Sequence, residues 1–77
     1  MNKSLLVVDD DLPFRERLSR SMEKKGFEVE SADSFASANN IIEKKNYDYA
    51  IVDMRLTDGS GLELIKKMHM QELYREG

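Results

Sequence analysis

Cysteine is missing altogether from the 77 residues, which rules out a disulfide framework and thiolate metal sites. No apolar run approaches the ~20 residues of a bilayer span, and the N-terminus lacks the pattern of a signal peptide. A cytoplasmic location is therefore the expectation. Excess positive charge is lacking too. Twelve Lys and Arg against fifteen Asp and Glu leave a net charge of -3, where a nucleic-acid-binding surface needs a basic face. Repeats, low-complexity segments and linkers are also absent, so the chain reads as one small domain. A domain of this length buries only about 60–65% of its unfolded surface, and its stability is correspondingly marginal. The 40% hydrophobic and 35% charged content fits a globular chain rather than a disordered one.

Against that background two short apolar runs stand out, each ending on acid. Leu5-Leu6-Val7-Val8 runs into Asp9-Asp10-Asp11, and Tyr49-Ala50-Ile51-Val52 ends on Asp53. Apolar runs of this length bounded by turn signals predict buried strands, the second spanning Tyr47 to Asp53. Between them Phe27-Glu28-Val29-Glu30 alternates apolar and polar, the pattern of a half-exposed edge strand.

Helices fill the intervals. Pro13 sits where a first helical turn tolerates it, after Asp11 or Leu12. Phe14, Leu18 and Met22 then line one face, and Lys24-Lys25 followed by Gly26 ends the helix. Asp33 or Ser34 can cap a second helix, with Phe35, Ala38, Ile41 and Ile42 as its apolar stripe, closed by Lys44-Lys45-Asn46. Gly59 and Gly61 mark a loop with Asp58-Gly59 as its turn. A third helix follows to Glu76, with a stripe of Leu62, Ile65, Met68 and Leu73. The order is βαβαβα at a regular spacing, since Phe27 follows Leu5 by 22 residues and Tyr49 follows Phe27 by 22. Such alternation implies right-handed crossovers and a parallel sheet.

In an open α/β sheet ligands bind at the carboxyl ends of the strands. If the two acid-terminated strands are parallel neighbours, up to four carboxylates meet there. Asp11 is most simply a helix cap, and Asp9 with Asp10 could by themselves be a solvated loop. Joined to Asp53 they form a cluster that needs a cation or a proton. Two carboxylates ~4 Å apart repel by ~4 kcal/mol at an effective dielectric of ~20. An all-oxygen donor set at strand ends suits Mg²⁺.

The motif Leu-Leu-Val-Val-Asp9-Asp10-Asp11, with Ala-Ile-Val-Asp53-Met-Arg-Leu-Thr-Asp-Gly-Ser-Gly-Leu some forty residues on, resembles the receiver domain of two-component response regulators. The resemblance runs from about Lys3 to about Lys67. Asp-Asp-Asp-Leu-Pro-Phe-Arg-Glu-Arg-Leu, with Gly26-Phe27-Glu28-Val29, is similar to the redox-responsive global regulators of proteobacteria. The resemblance implies a three-layer parallel sheet of flavodoxin-like (CheY-like) type, here truncated to about three βα units. Residues 1–77 would then be the N-terminal portion of a receiver. It implies that Asp53 accepts a phosphoryl group from a partner histidine kinase. Asp9 and Asp10 would hold Mg²⁺ together with Asp53 and the backbone carbonyl of Arg55. Such a receiver is not a turnover enzyme in its own right, and it binds neither nucleic acid nor membrane through these residues. Two decoys fail on spacing: counted from Asp53, Arg55 and Asp58 stand at the third and sixth positions of an EF-hand loop, where an oxygen ligand and Gly are needed. Haloacid-dehalogenase phosphatases carry a second Asp where Arg55 stands.

The departures from the family pattern are the missing fourth and fifth units, with their Ser/Thr, aromatic and Lys residues, and Thr57 in place of a common proline. A phosphotransfer-deficient fragment, or a simple Mg²⁺-binding module, is the alternative reading. Without a fourth strand the edge of Tyr47–Asp53 lies open, which leads to an expectation of self-association or domain swapping. His69 reads as a surface residue, and Arg15, Arg17 and Arg20 as a solvated helix face, although in the family this helix helps contact the kinase.

Overall fold

The computed structural model describes residues 3–76, with side chains over 3–71. Strand β1 (Lys3–Val8), helix α1 (Leu12–Lys24), strand β2 (Phe27–Ala32), helix α2 (Phe35–Lys44) and strand β3 (Tyr49–Val52) alternate along the chain. A two-rung antiparallel hairpin, β4 (Arg55–Leu56) and β5 (Gly59–Ser60), then leads into α3 (Gly61–Glu76).

The main sheet is parallel, in the order β2-β1-β3. The chain steps one way from β1 to β2 and then back past β1 to β3. Crossovers of one hand must put the helices of opposite steps on opposite faces. Accordingly α1 packs on β1 and β2 from one side, while α2 and α3 pack against each other on the other. The expected three-layer α/β arrangement holds. Its reversal falls between β1 and β3, where an open sheet leaves a crevice at its carboxyl end.

Being central, β1 is covered twice: Leu5, Leu6, Val7 and Val8 are all buried. Leu6 and Val8 join Ala32, Ala38, Ile42, Leu56 and Leu64 in the main core, with Phe35, Ile41, Tyr47, Val52 and Met68 at its rim. Leu5 and Val7, of opposite parity, face α1. The Phe14, Leu18 and Met22 stripe is only half covered, and α1 has no fully buried residue. As expected, β2 lies at an edge with alternating exposure along Phe27–Glu30.

Three expectations need correction. First, β3 is not a buried strand: Tyr49 is 52% exposed and Ile51 40%, because β3 forms the other edge of the sheet. Second, β3 begins at Tyr49 and not Tyr47. Asp48 Oδ2 accepts from the N–H and hydroxyl of Ser4, and the Ser4 hydroxyl accepts from the Asp48 N–H (3.1, 3.2 and 2.9 Å). This exchange replaces the first ladder rung and locks β3 in register with β1. Third, α3 turns a different face inward. Leu64 is 0% exposed and Gly61 is buried, with Met68 one turn beyond Leu64, whereas Leu62 and Ile65 stand 44% and 41% exposed. The side chain of Leu73 lies outside the described residues. Both stripes have helical spacing, and packing against α2 selects the one through Leu64.

Helix ends are chemically closed. Asp11 caps α1 by accepting from the Phe14 N–H (3.1 Å), and Gly26 leaves the helix at φ +99°, a left-handed conformation that costs glycine little. At α2 the Ser34 hydroxyl accepts from the Ser37 N–H (3.1 Å). The two amides before it, of Phe35 and Ala36, donate to the two carboxylate oxygens of Asp58 at 2.7 and 3.0 Å. Asp58 is thus more than a turn residue, since from the β4–β5 loop it fastens the hairpin to the N-terminus of α2. Those two amides hold its carboxyl below the usual carboxylate range.

Two stability predictions follow from these contacts. A group whose pKa is lowered on folding stabilises fully above its unfolded value, near 3.9, and loses that contribution as pH falls through the folded value. Asp58→Asn should therefore lower the thermal midpoint at about pH 6, and its gap from wild type should narrow as pH falls below about 3.9. At Gly61, an added Cβ would run into the backbone carbonyl oxygen of Asp53, which cannot move without shifting the end of β3. Gly61→Ala should cost about 2–3 kcal/mol in urea unfolding, where a surface Gly→Ala change elsewhere in a helix would stabilise.

Candidate functional site

In-register pairing of β1 and β3 sets Val8 beside Val52. The residue after each is an aspartate. The ladder carries on one step beyond the strands: the Asp53 N–H donates to the Val8 carbonyl at 2.9 Å, and the Asp9 N–H to the Ala32 carbonyl at 3.2 Å. Asp9 and Asp53 are thereby fixed side by side by backbone bonds on both. Asp10 follows on the turn into α1. One carboxylate oxygen from each of Asp9, Asp10 and Asp53 lies within 4.8 Å of the others, with Asp9 and Asp53 half-buried and Asp10 exposed.

Each carboxylate also receives one hydrogen bond. Asp9 Oδ1 accepts from the Asp11 N–H (2.9 Å), and Asp53 Oδ1 from the Arg55 N–H (3.2 Å). Asp10 Oδ2 accepts from the hydroxyl of Thr57 (2.8 Å). These neutral donors orient the acids without neutralising them. Arg15 Nη1 donates to the Asp9 carbonyl at 2.7 Å, which brings a positive charge behind the cluster.

The donor set fits a hard divalent cation. Oxygens on opposite sides of an Mg²⁺ at 2.0–2.1 Å are about 4.2 Å apart, so the observed spread is within a small side-chain rotation of what one ion needs. A carboxylate also has lone pairs to spare after one hydrogen bond.

The three acids singled out in the sequence are therefore brought together, and Asp11 turns aside to cap α1. Arg55 meets the cluster through its N–H, with its side chain exposed. Sequence reasoning missed two participants. Arg15 was expected on a solvated face but is half-buried at the acids. Its place in the first turn of α1 was the available signal, because helical side chains lean back over the preceding turn. Thr57, given no role beyond replacing a proline, reaches Asp10 across 47 residues. Only the fold of the hairpin could reveal that. His69 is exposed and away from the acids, as expected, and lines a groove with Tyr47, Tyr49 and Met68. No helix among the described residues is long and apolar enough to cross a membrane.

Known proteins resemble this chain in sequence and in fold. Residues 5–75 match the family described as the response regulator receiver domain. The photosynthetic apparatus regulatory protein RegA of Cereibacter sphaeroides is 48% identical over 65 residues, covering 84% of this chain and 35% of RegA. The chain thus spans about a third of the length of that relative. Among solved structures, the chemotaxis response regulator CheY4 of Vibrio cholerae superposes with a TM-score of 0.87 at 29% identity, over 97% of this chain and 62% of CheY4. TrrA of Thermotoga maritima, solved in complex with Mg²⁺-BeF, matches with a TM-score of 0.83 at 32% identity, over 90% of this chain and 60% of its own. With the family model spanning nearly all of its residues, the chain belongs to the response regulator receiver domain family.

Proposed function

We propose that residues 1–77 form the N-terminal portion of a phosphorelay receiver in which Asp53 accepts a phosphoryl group from a sensor histidine kinase. The observation that carries this reading is the convergence of the Asp9, Asp10 and Asp53 carboxylates at the reversal point of the sheet. Asp9, Asp10 and the Arg55 backbone carbonyl would hold Mg²⁺ beside Asp53. When bound, that ion supplies charge neutralisation for the incoming phosphoryl group. The Mg²⁺-BeF complex of TrrA supports the assignment by likeness.

The chain's own residues account for the rest. The Arg55 N–H orients the Asp53 carboxylate through Oδ1, and a carboxylate oxygen of Asp53 is the nucleophile. That oxygen attacks phosphorus in line, the P–N bond to the donor imidazole breaks, and the bonding pair leaves with the imidazole. The product is an acyl phosphate on Asp53, carrying roughly two negative charges where there was one. Its added charge lies beside the hairpin that Asp58 fastens to α2. The chain takes one phosphoryl group per cycle and does not turn over a substrate of its own.

Incubation with acetyl phosphate and Mg²⁺ should add one phosphoryl group by intact mass, and the addition should vanish in Asp53→Asn and on chelation of the metal. A mass increment that survives Asp53→Asn would rule the reading out.

A second reading rests on a separate observation, the open edge of β3 with Tyr49 and Ile51 exposed. Unpaired strand edges with apolar side chains pair readily with other chains. Through that edge the chain would self-associate, with or without phosphotransfer. Light scattering should show a mass that rises with concentration, and Ile51→Lys should return it to monomer. A clean monomer at high concentration would exclude it.

A further inference from the structure

The three acids of the site are each held by one neutral donor, but the donors are not alike. Those on Asp9 and Asp53 are backbone amides two residues along the same loop, built into the turn and present whatever the side chains. The donor on Asp10 is a side chain, the Thr57 hydroxyl, and it comes from the hairpin. Asp10 is also the exposed member of the three. An exposed aspartate on a turn has several rotamers available, and only some of them bring an oxygen to Asp9 and Asp53.

The far side of Thr57 is anchored. Its neighbour Asp58 accepts both free amides at the start of α2, and Leu56 on the other side is buried in the core. The Thr57 hydroxyl is therefore presented from a fixed loop, not from a mobile one. An anchored donor can restrict an otherwise free carboxylate.

We propose that Thr57 is a positioning residue for Asp10: its hydroxyl selects the orientation in which Asp10 completes the acidic site, and so sets the affinity of the site for a divalent cation. This inference rests on the metal reading given above. One hydrogen bond uses one of about four lone-pair positions of a carboxylate, so the hydroxyl orients Asp10 without blocking it. Outer-sphere partners of this kind change metal affinity by about 10–100-fold when removed. An exposed hydroxyl on an acidic ligand belongs at the weak end of that range.

The experiment is calorimetric titration of the chain with Mg²⁺ alone, alongside urea unfolding without metal. Thr57→Val removes the donor at nearly constant shape and should weaken Mg²⁺ binding about tenfold. Thr57→Ser restores the hydroxyl and should bind close to wild type. In an Asp10→Ala background, adding Thr57→Val should change nothing, because the group it acts through is gone. Equal affinity in wild type and Thr57→Val overturns the inference, as does a loss that Ser does not repair or that persists without Asp10. A loss that merely tracks lower metal-free stability in the Val and Ser variants alike overturns it as well. A wild-type chain that takes up no Mg²⁺ overturns the metal reading itself, and this inference with it.

Discussion

The parallel, in-register pairing of β1 with β3 is the constraint from which the rest of the molecule takes its form. A strand delivers successive side chains to opposite faces, so a slip of one residue would send Asp53 to the α2–α3 side while Asp9 stayed on the α1 side. Two devices prevent that slip. At the entry of the strands Ser4 and Asp48 exchange three hydrogen bonds, and at the exit the Asp53 N–H closes on the Val8 carbonyl. Between them, Val8 and Val52 meet the core on one face while Leu5 and Val7 fill the other. The apolar pattern of β1 and the placement of the acids are thus one arrangement seen at two positions along the strand.

Setting carboxylates together opposes folding unless something nearby favours negative charge. Here the N-terminus of α1 follows directly on Asp9 and Asp10, and the unpaired amides of a helix start favour anions. Arg15 adds a full charge one turn in, tied to the Asp9 carbonyl. Neither cancels three carboxylates. The fold around the acidic site therefore has to be fixed independently of the acids. The core of β1 and the caps of α1 and α2 meet that requirement.

Element order and the acidic triad were readable in the sequence because both depend on local pattern: runs of four aliphatic residues, helical spacing, and acids placed directly after strands. What the sequence hid depends on contacts between distant segments. Asp58 reads as half of an Asp-Gly turn until α2 is seen 22 and 23 residues away with two free amides. The hairpin itself carried the Asp-Gly signal, but two rungs are too few to show alternation. The inward face of α3 was ambiguous for a different reason. Leu62, Leu64, Ile65 and Met68 offer two overlapping stripes, and which is buried depends on what stands beside β3. Leu62 and Ile65 stay largely exposed, Ile65 on the groove beside β3, and the helix settles through Leu64 onto α2 and the sheet.

The open edge and the acidic site lie at opposite ends of the same strand. The groove lined by Tyr47, Tyr49, Ile65 and His69 adjoins the start of β3, and Asp53 follows its end. Asp53 lies four residue steps beyond Tyr49, about 13 Å at ~3.3 Å per residue. That exceeds the screening length of about 8 Å at physiological ionic strength, so a change of charge at Asp53 is largely damped before it reaches the groove. Influence from the site has a shorter route. Thr57 touches Asp10, Asp58 touches α2, and Leu56 between β3 and that loop is packed in the core. These three consecutive residues join the acids, the core and the start of α2 through direct contacts that salt does not screen. The acidic loops are thus in direct contact with the N-terminus of α2 through this hairpin, and with β3 through Asp53 itself.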